Sequence, residues 1–545
     1  MSNLTFKDMG LSDAMVEALA KKGYEEPSAI QALVIPEFLK EQSNLIGQAQ
    51  TGTGKTAAFA IPIIETLIPE PGITKAIILT PTRELANQVS DEIYSMIGTK
   101  KMRVLPVYGG QSIDQQLKNL KRGVDIIVGT PGRVIDLLER KAIKLDNLDY
   151  FVLDEADEML NMGFIDAIEE ILKKTSGKQK MLFFSATMPS SILAIAKKYM
   201  GTFKTLKVEN KDLTTNLTEQ IYFEVREYEK FDTLCRVLDF EREFYGIIFA
   251  RTKHETDTIT THLKARGYAA DAIHGDVTQS MRNQTLAAFK SKKISILVAT
   301  DVAARGIDVN NLTHVVNYSI PNEAESYVHR IGRTGRAGNK GIAITFVTAR
   351  EAFQLTRIQR MTKTNITRQK APSINEVINA KKEALEAFVN EIVNENDYND
   401  YVDLAKTLIG DKSPEVAIAA ILRHAYGDEF LPKNYAQVND TRMSSPAASR
   451  GYEDRGRSGS SGGREQMSDE TRLFVARGKK DGFNPRKILE LLYETCKTPA
   501  RKVRDIKILE SFSFITVPFD EAETIMKNIN QTSRGERPII TRAKN

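Results

Sequence analysis

The chain has 545 residues, a net charge of +5, six His and two Cys. That length exceeds what one core can absorb and implies about three or four domains, while no apolar run reaches the ~18–20 residues of a membrane span. Cys235 and Cys496 lie far apart without metal-ligand spacing, which argues against a transition-metal site and for two buried free thiols in a reducing compartment; with no basic-then-apolar leader pattern, a cytoplasmic location is the expectation.

Residues 1–207 alternate short apolar runs with helical stretches. Strands are expected at 76–79, 125–128, 151–153 and 181–184, each running into a polar motif: Pro81-Thr82-Arg83-Glu84, Thr130-Pro131-Gly132-Arg133, Asp154-Glu155-Ala156-Asp157 and Ser185-Ala186-Thr187. Short, wholly apolar strands separated by helices indicate a parallel sheet covered on both faces, and ligands of such sheets bind beyond the strand carboxyl ends.

Two of these features supply complementary halves of a nucleotide-hydrolysis site. Ala49-Gln50-Thr51-Gly52-Thr53-Gly54-Lys55-Thr56 is a Gly-rich turn whose N–H groups can wrap phosphates; Lys55 reaches the terminal phosphates and Thr56 can ligate Mg²⁺. Ala49 stands where the usual pattern has its first Gly. Asp154 can hold the same metal, and Glu155 can orient or deprotonate the attacking water. The pair identifies an NTPase.

Residues 208–368 repeat the strand–helix pattern, with strands expected at 246–249, 269–273, 296–299 and 314–318, but have no second phosphate loop. This half ends in His329-Arg330-Ile331-Gly332-Arg333-Thr334-Gly335-Arg336 and reads as a partner that completes the first domain's site. Residues 373–432 are acidic and carry helical-period apolar stripes (Leu385, Phe388, Val389, Ile392; Leu404, Leu408; Val416, Ile421). Those stripes are satisfied either by packing within the chain or by self-association. A polar, Gly/Ser/Arg-rich linker spans 433–468. From Thr471 onward sixteen Lys/Arg face nine Asp/Glu, a net +7 against −2 for everything before. That charge points to a polyanion partner for residues 469–545, attached as a mobile tether.

The order of motifs resembles the DEAD-box RNA helicases over the first 365 or so residues. The resemblance implies two tandem RecA-like parallel-sheet domains, an α/β fold that binds ATP with Mg²⁺ and clamps RNA. Gly23-Tyr24-Glu25-Glu26-Pro27-Ser28-Ala29-Ile30-Gln31 resembles the family's Q motif, implying that Gln31 reads the adenine edge, Tyr24 stacks on the ring and Phe6 adds cover. Gly52, Gly54, Lys55 and Thr56 would hold phosphates and metal, with Ala49, Gln50, Thr51 and Thr53 completing the loop. Ser185 and Thr187 would couple hydrolysis to closure, and His329 would link to them. Asp308 would touch the ribose, and Arg333 and Arg336 would act as arginine fingers, a role worth about 10³–10⁵ in rate in related NTPases.

RNA contacts implied by the same resemblance fall on Thr82, Arg83, Gly109, Gly110, Thr130 and Arg133, and on Arg251, Gln279, Arg282, Thr300 and Asp301. Backbone-directed contacts of this kind are sequence-independent and favour RNA through its 2′-OH. Tyr318-Ser319-Ile320-Pro321 departs from the family, which has Asp where Ser319 stands; tuning rather than loss of activity is expected.

Residues 469–545 resemble the small α+β RRM-like module of some bacterial DEAD-box proteins. Alternation puts Phe512 and Phe514 on one face, either exposed for base stacking or buried as core. The acidic unit before the linker resembles the dimerisation segment of bacterial cold-shock DEAD-box helicases, implying a homodimer through 373–432. The reading is therefore a helicase acting on RNA in ribosome assembly, RNA decay or low-temperature growth. Two alternatives stand beside it, a DNA helicase on the same core and a non-enzymatic ATP-gated RNA clamp.

Overall fold

The computed structural model describes residues 4–41, 43–49, 52–208, 218–304, 307, 309, 312–335, 339–427, 429–432, 435, 470–532 and 540–543. Gln50, Thr51, Asp308, Arg336 and the expected linker, apart from Tyr435, lie outside them. The chain forms two compact units that divide near residue 217.

The first unit is built on β1 (Asn44–Gln48), β2 (Ala76–Leu79), β3 (Val104–Val107), β4 (Ile126–Gly129), β5 (Tyr150–Leu153), β6 (Lys180–Ser185) and β7 (Phe203–Lys207). They pair in parallel in the order β3-β4-β2-β5-β6-β1-β7. Successive residues feed opposite cores: Ile78, Val128, Val152 and Leu182 on one face, Ile77, Ile127, Phe151 and Phe183 on the other. Burial on both faces is why these strands read as unbroken apolar runs. β1 escaped the sequence reading because its polar ends do structural jobs. Asn44 Nδ2 donates to the Met200 carbonyl (2.6 Å) and its Oδ1 accepts from Met181 N–H (2.7 Å). Gly47 lies against the Phe184 ring, which a Cβ there would approach to 2.5 Å.

The second unit opens with β8 (Thr218–Glu224), β9 (Gly246–Ala250), β10 (Ala270–Ile273), β11 (Ile296–Thr300), β12 (His314–Asn317), β13 (Gly341–Val347) and β14 (Thr367–Gln369). These form another all-parallel sheet, in the order β10-β11-β9-β12-β13-β8-β14. Helix Ile374–Glu395 follows, started by a reciprocal cap between Ser373 and Glu376, and Lys381 ties it to Asp239 at 3.1 Å. Helices Val402–Ile409 and Pro414–Tyr426 leave Leu404, Leu408, Val416, Ile418 and Ile421 about half exposed.

The last sheet is antiparallel: β15 (Glu470–Val475), β16 (Asp505–Ile508), β17 (Ser513–Pro518) and β18 (Ile540–Arg542), in the order β16-β17-β15-β18. Leu473, Val475, Ile515 and Val517 are buried with Ile488, Leu492 and Ile525 of its two helices. Phe474, Phe512 and Phe514 sit together on the opposite face, centroids 5.3–5.9 Å apart, and are half-buried. Of the two readings left open for Phe512 and Phe514, core burial is thus excluded. Both cysteines are free, but only Cys235 is buried; Cys496 is half-buried, a correction to the expectation for that thiol.

Candidate functional site

The loop after β1 leads into helix Lys55–Thr66, and Gly52 and Gly54 have φ of 81° and 84°. In this region only glycine is at ease, and the turn aims the unpaired N–H groups of the helix start outward. Lys55 is buried, and its Nζ has no hydrogen-bond partner among the described residues. Its charge is met by the buried Asp154 carboxyl, but its three N–H donors are left without hydrogen bonds among the described residues, so the site as built can accept an anion. Ala49 anchors the loop's other end through its N–H to the Ser185 carbonyl (3.1 Å); Thr53 and Thr56 are half-buried.

Gln31 is buried with both ends of its amide engaged. Its Oε1 accepts from Ser28 N–H (2.9 Å) and its Nε2 donates to the Gly54 carbonyl (3.2 Å). The expected base-reading residue is therefore also a strut beneath the phosphate loop. A Cβ on Gly54 would lie 2.5 Å from Gln31 Nε2. Phe6 and Tyr24 are brought together with nearly parallel rings 6.5 Å apart. Tyr24 is further fixed by its hydroxyl, which donates to Glu92 (2.5 Å).

Asp154 follows β5 and is buried. Burial is the main cause pushing its carboxyl up to about 7; Lys55 opposes this, while Glu155 and Asp157 add to it. Glu155 has φ 51° and its N–H donates to Asp154 Oδ1 (3.0 Å). A left-handed non-Gly residue is strained by roughly 1–2 kcal/mol, and this one sets the turn between β5 and helix Ala156–Asn161. Asp157 Oδ2 accepts from both N–H (2.7 Å) and Oγ1 (2.9 Å) of Thr187, and Asp157 N–H donates to Ser185 Oγ (3.2 Å). The sequence reading gave Asp157 no role. Its signal was available, an acidic residue in the first turn after an apolar strand.

The expected RNA contacts of the first unit cluster beyond β2, β3 and β4, whereas the nucleotide residues follow β1, β5 and β6. The strand order thus separates the two sets along one sheet edge. Thr82 and Thr130 begin helices Arg83–Met96 and Pro131–Glu139, and Thr82 Oγ1 accepts from Leu85 N–H (3.2 Å). The Arg83 guanidinium lies over Gly109-Gly110, so close that a Cβ on Gly110 would overlap it. Arg133 donates to Gln116 Oε1 (2.9 Å), whose Nε2 donates to the Tyr108 carbonyl (3.1 Å) just before those glycines. Gln116, absent from the sequence reading, is the buried link joining Arg133 to the glycine turn.

In the second unit the same half of the sheet carries the expected contacts. Arg251 follows β9 and pairs with Glu351 (3.0 Å); Gln279 and Arg282 lie on helix Gln279–Lys290, and Arg282 donates to the Ala303 carbonyl (2.7 Å). Thr300 ends β11. Asp301 receives a two-pronged contact from buried Arg330, which also donates to Asn317 Oδ1 (3.0 Å) and the Ser319 carbonyl (2.7 Å). Arg330 sits in the quoted arginine run but was given no role; burial separates it from half-buried Arg333. Ser319 Oγ donates to Glu255 (2.8 Å), whose other oxygen accepts from Arg251 N–H (2.6 Å). An Asp at 319 would set a second carboxylate against Glu255, so the Ser suits its neighbour. His329 lies on helix Ala324–Ile331 and Arg333 in the turn after it.

Comparison with known proteins follows the same division. Residues 28–195 match the family model for DEAD/DEAH box helicases, 229–338 that for the helicase conserved C-terminal domain, and 472–542 that for the DbpA RNA binding domain. The DEAD-box ATP-dependent RNA helicase CshA of Bacillus subtilis is 46% identical over 422 residues, spanning 77% of this chain and 85% of its own. CshA of Geobacillus kaustophilus is 47% identical over 420 residues, spanning 77% and 90%. Among solved structures, S. cerevisiae Dbp5 bound to RNA and ADP BeF3 is similar with a TM-score of 0.63 and 32% identity, over 70% of this chain and 100% of that one.

Proposed function

This chain belongs to the DEAD-box ATP-dependent RNA helicases, and we propose that it works as an RNA-dependent ATPase whose hydrolysis site is the loop around Lys55 facing the Asp154–Glu155 turn. The observation that carries this reading is the buried Lys55 Nζ, without a hydrogen bond among the described residues, close to the buried Asp154 carboxyl. Lys55 and the N–H groups of residues 52–56 hold the phosphates, Gln31, Tyr24 and Phe6 the base, and Glu155 positions the water. Thr56 and Asp154 fit Mg²⁺, a hard cation taking oxygen ligands, which when bound neutralises phosphate charge. Arg333 and Arg336 come from the second domain as charge-stabilising fingers, with Asp308 on the ribose, and His329 relays its position to Ser185 and Thr187.

RNA runs along Thr82, Arg83, Gly109, Gly110, Thr130 and Arg133 and continues over Arg251, Gln279, Arg282, Thr300 and Asp301. The basic residues 469–545 add affinity, with Phe474, Phe512 and Phe514 as a stacking surface; base–aromatic stacking contributes about 1–3 kcal/mol per base. The half-exposed stripe of Leu404, Leu408, Val416 and Ile421 supports homodimerisation through 373–432. We further propose domain limits of 1–207, 208–368, 373–432, 433–468 and 469–545, and a cytoplasmic location; no helix among the described residues is long and apolar enough to cross a membrane.

The test is steady-state ATP hydrolysis with single-stranded RNA, duplex RNA or DNA of matched sequence, together with strand separation of the RNA duplex. RNA is expected to stimulate turnover well beyond DNA. Equal stimulation would favour a DNA helicase, and stimulation without strand separation an ATP-gated clamp.

A further inference from the structure

Helix Phe519–Thr532 covers the last sheet, but its first residue belongs to another core. Phe519 is 5% exposed and sits in the hydrophobic cluster of the second sheet with Phe231, Leu234, Ile259 and Leu263. Its ring stacks on the His262 imidazole (centroids 3.5 Å apart, planes at 16°) and meets Phe231 edge-on at 5.5 Å. Both ring nitrogens of His262 are buried without a hydrogen-bond partner, so the imidazole serves as a flat, uncharged surface for Phe519.

Four alternating charges surround this plug. Asp232 and Arg266 come from the second sheet's helices, Glu523 and Arg542 from the last domain. Arg542 reaches Asp232 at 3.4 Å and Arg266 reaches Glu523 at 3.6 Å across the join; Arg266–Asp232 (2.8 Å) and Arg542–Glu523 close the ring. Both guanidinium groups also lie over Phe519, at 4.8 Å and 5.9 Å, a cation–π arrangement that gains as it is desolvated. Burial alone would push the Asp232 carboxyl up, yet Arg266 and Arg542 hold it below its ordinary value. The ring is therefore attractive on balance.

We propose that the C-terminal domain works docked on the second helicase domain through the Phe519 plug, so that RNA gripped on its aromatic face is carried whenever that domain moves. This replaces the mobile tether expected from sequence. The dock engages His262 and Arg266, at the carboxyl end of helix Lys253–Ala265 and just past it. Some ten residues, or about 15 Å of helix, separate it from the strand ends bearing Arg251. The grip and the core's own RNA edge therefore act at different places on one body.

The proposal rests on the reading of the chain as an RNA-stimulated ATPase, and its test separates the two. Phe519→Asp and His262→Asp attack the plug from opposite sides. Phe519 is not part of the last domain's own core, so that domain is expected to stay folded. Hydrogen exchange on the full-length protein should show residues 258–266 and 519–526 losing protection in both variants, with Phe519→Leu restoring it. RNA-stimulated ATPase should stay within about twofold of the unaltered protein. Unwinding of a duplex with a structured hairpin extension should lose most of its advantage over a bare duplex. Unchanged exchange would refute the dock, and a retained advantage in an undocked variant would refute the carrying role. Missing stimulation in the unaltered protein would instead overturn the ATPase reading.

Discussion

Asp157 and Thr187 are joined twice, the carboxylate accepting from both the backbone N–H and the hydroxyl of the threonine. This ties the acidic turn after β5 to the segment after β6, two strands that are consecutive in the chain and adjacent in the sheet. Removing the hydroxyl leaves the backbone contact intact. A hydrogen bond to a charged group contributes about 1.5–3 kcal/mol, so Thr187→Ala is expected to slow RNA unwinding at least tenfold. ATP affinity should stay within about threefold. Unwinding at the normal rate would remove Thr187 from the coupling path.

Gly54→Ala combines a disfavoured φ of 84° with a Cβ 2.5 Å from Gln31 Nε2. Destabilisation of about 1–2 kcal/mol is expected, with nucleotide affinity reduced about tenfold as the Gln31 strut is displaced. Calorimetric titration with an ATP analogue and thermal unfolding check both parts; unaltered affinity would show that the strut does not shape the loop.

The half-exposed stripe on helices Val402–Ile409 and Pro414–Tyr426 is expected to hold two copies together. Light scattering should give twice the 61.0 kDa chain mass, and Leu408→Glu with Ile421→Glu should halve it without loss of ATPase. A monomeric unaltered protein, or a dimer that survives both changes, would refute this.

Docking of the C-terminal domain should weaken in acid. Burial first, then Arg542 and Arg266, push the docked His262 down to about 3, against about 6.5 for a free imidazole. Above 6.5 both states are neutral and docking is at full strength. Below it the undocked imidazole takes a proton that the docked one refuses, so docking weakens about tenfold per pH unit as pH falls towards 3. Asp232 and Glu523 face the same plug, and Asp232 is held below its ordinary value, which keeps it charged over this window. Energy transfer between labels on the last domain and the second sheet should report the change between pH 7.5 and 5.5. His262→Phe should abolish it, and a flat profile in the unaltered protein would contradict the assignment.

Much of this was legible because the strands are short, apolar and followed by polar motifs; the eight expected strands all formed, with ends shifted by a residue or so. Among those that went unread, β1 has polar ends in Asn44 and Gln48 and β8 is interrupted by Gln220, whereas β3 and β13 are mostly apolar and were also passed over. Motif residues were visible as types, but not the contacts that hold them. Arg330 on Asp301 and Gln116 between Arg133 and the glycine turn depend on burial that spacing does not encode. Phe519 was hidden for a similar reason, since a helix-starting aromatic in a small basic module gives no sign that its core lies some 260 residues upstream.

Glu155 carries the central claim, standing beside the buried Asp154 in a strained turn after β5. The decisive measurement is ATP-dependent RNA capture by Glu155→Gln alongside its steady-state hydrolysis. The account expects normal ATP and RNA binding, turnover reduced by at least 10²-fold as expected for loss of a water-activating group, and RNA held in a long-lived complex with ATP but not ADP. Near-normal hydrolysis, or RNA retention indifferent to the nucleotide, would contradict it.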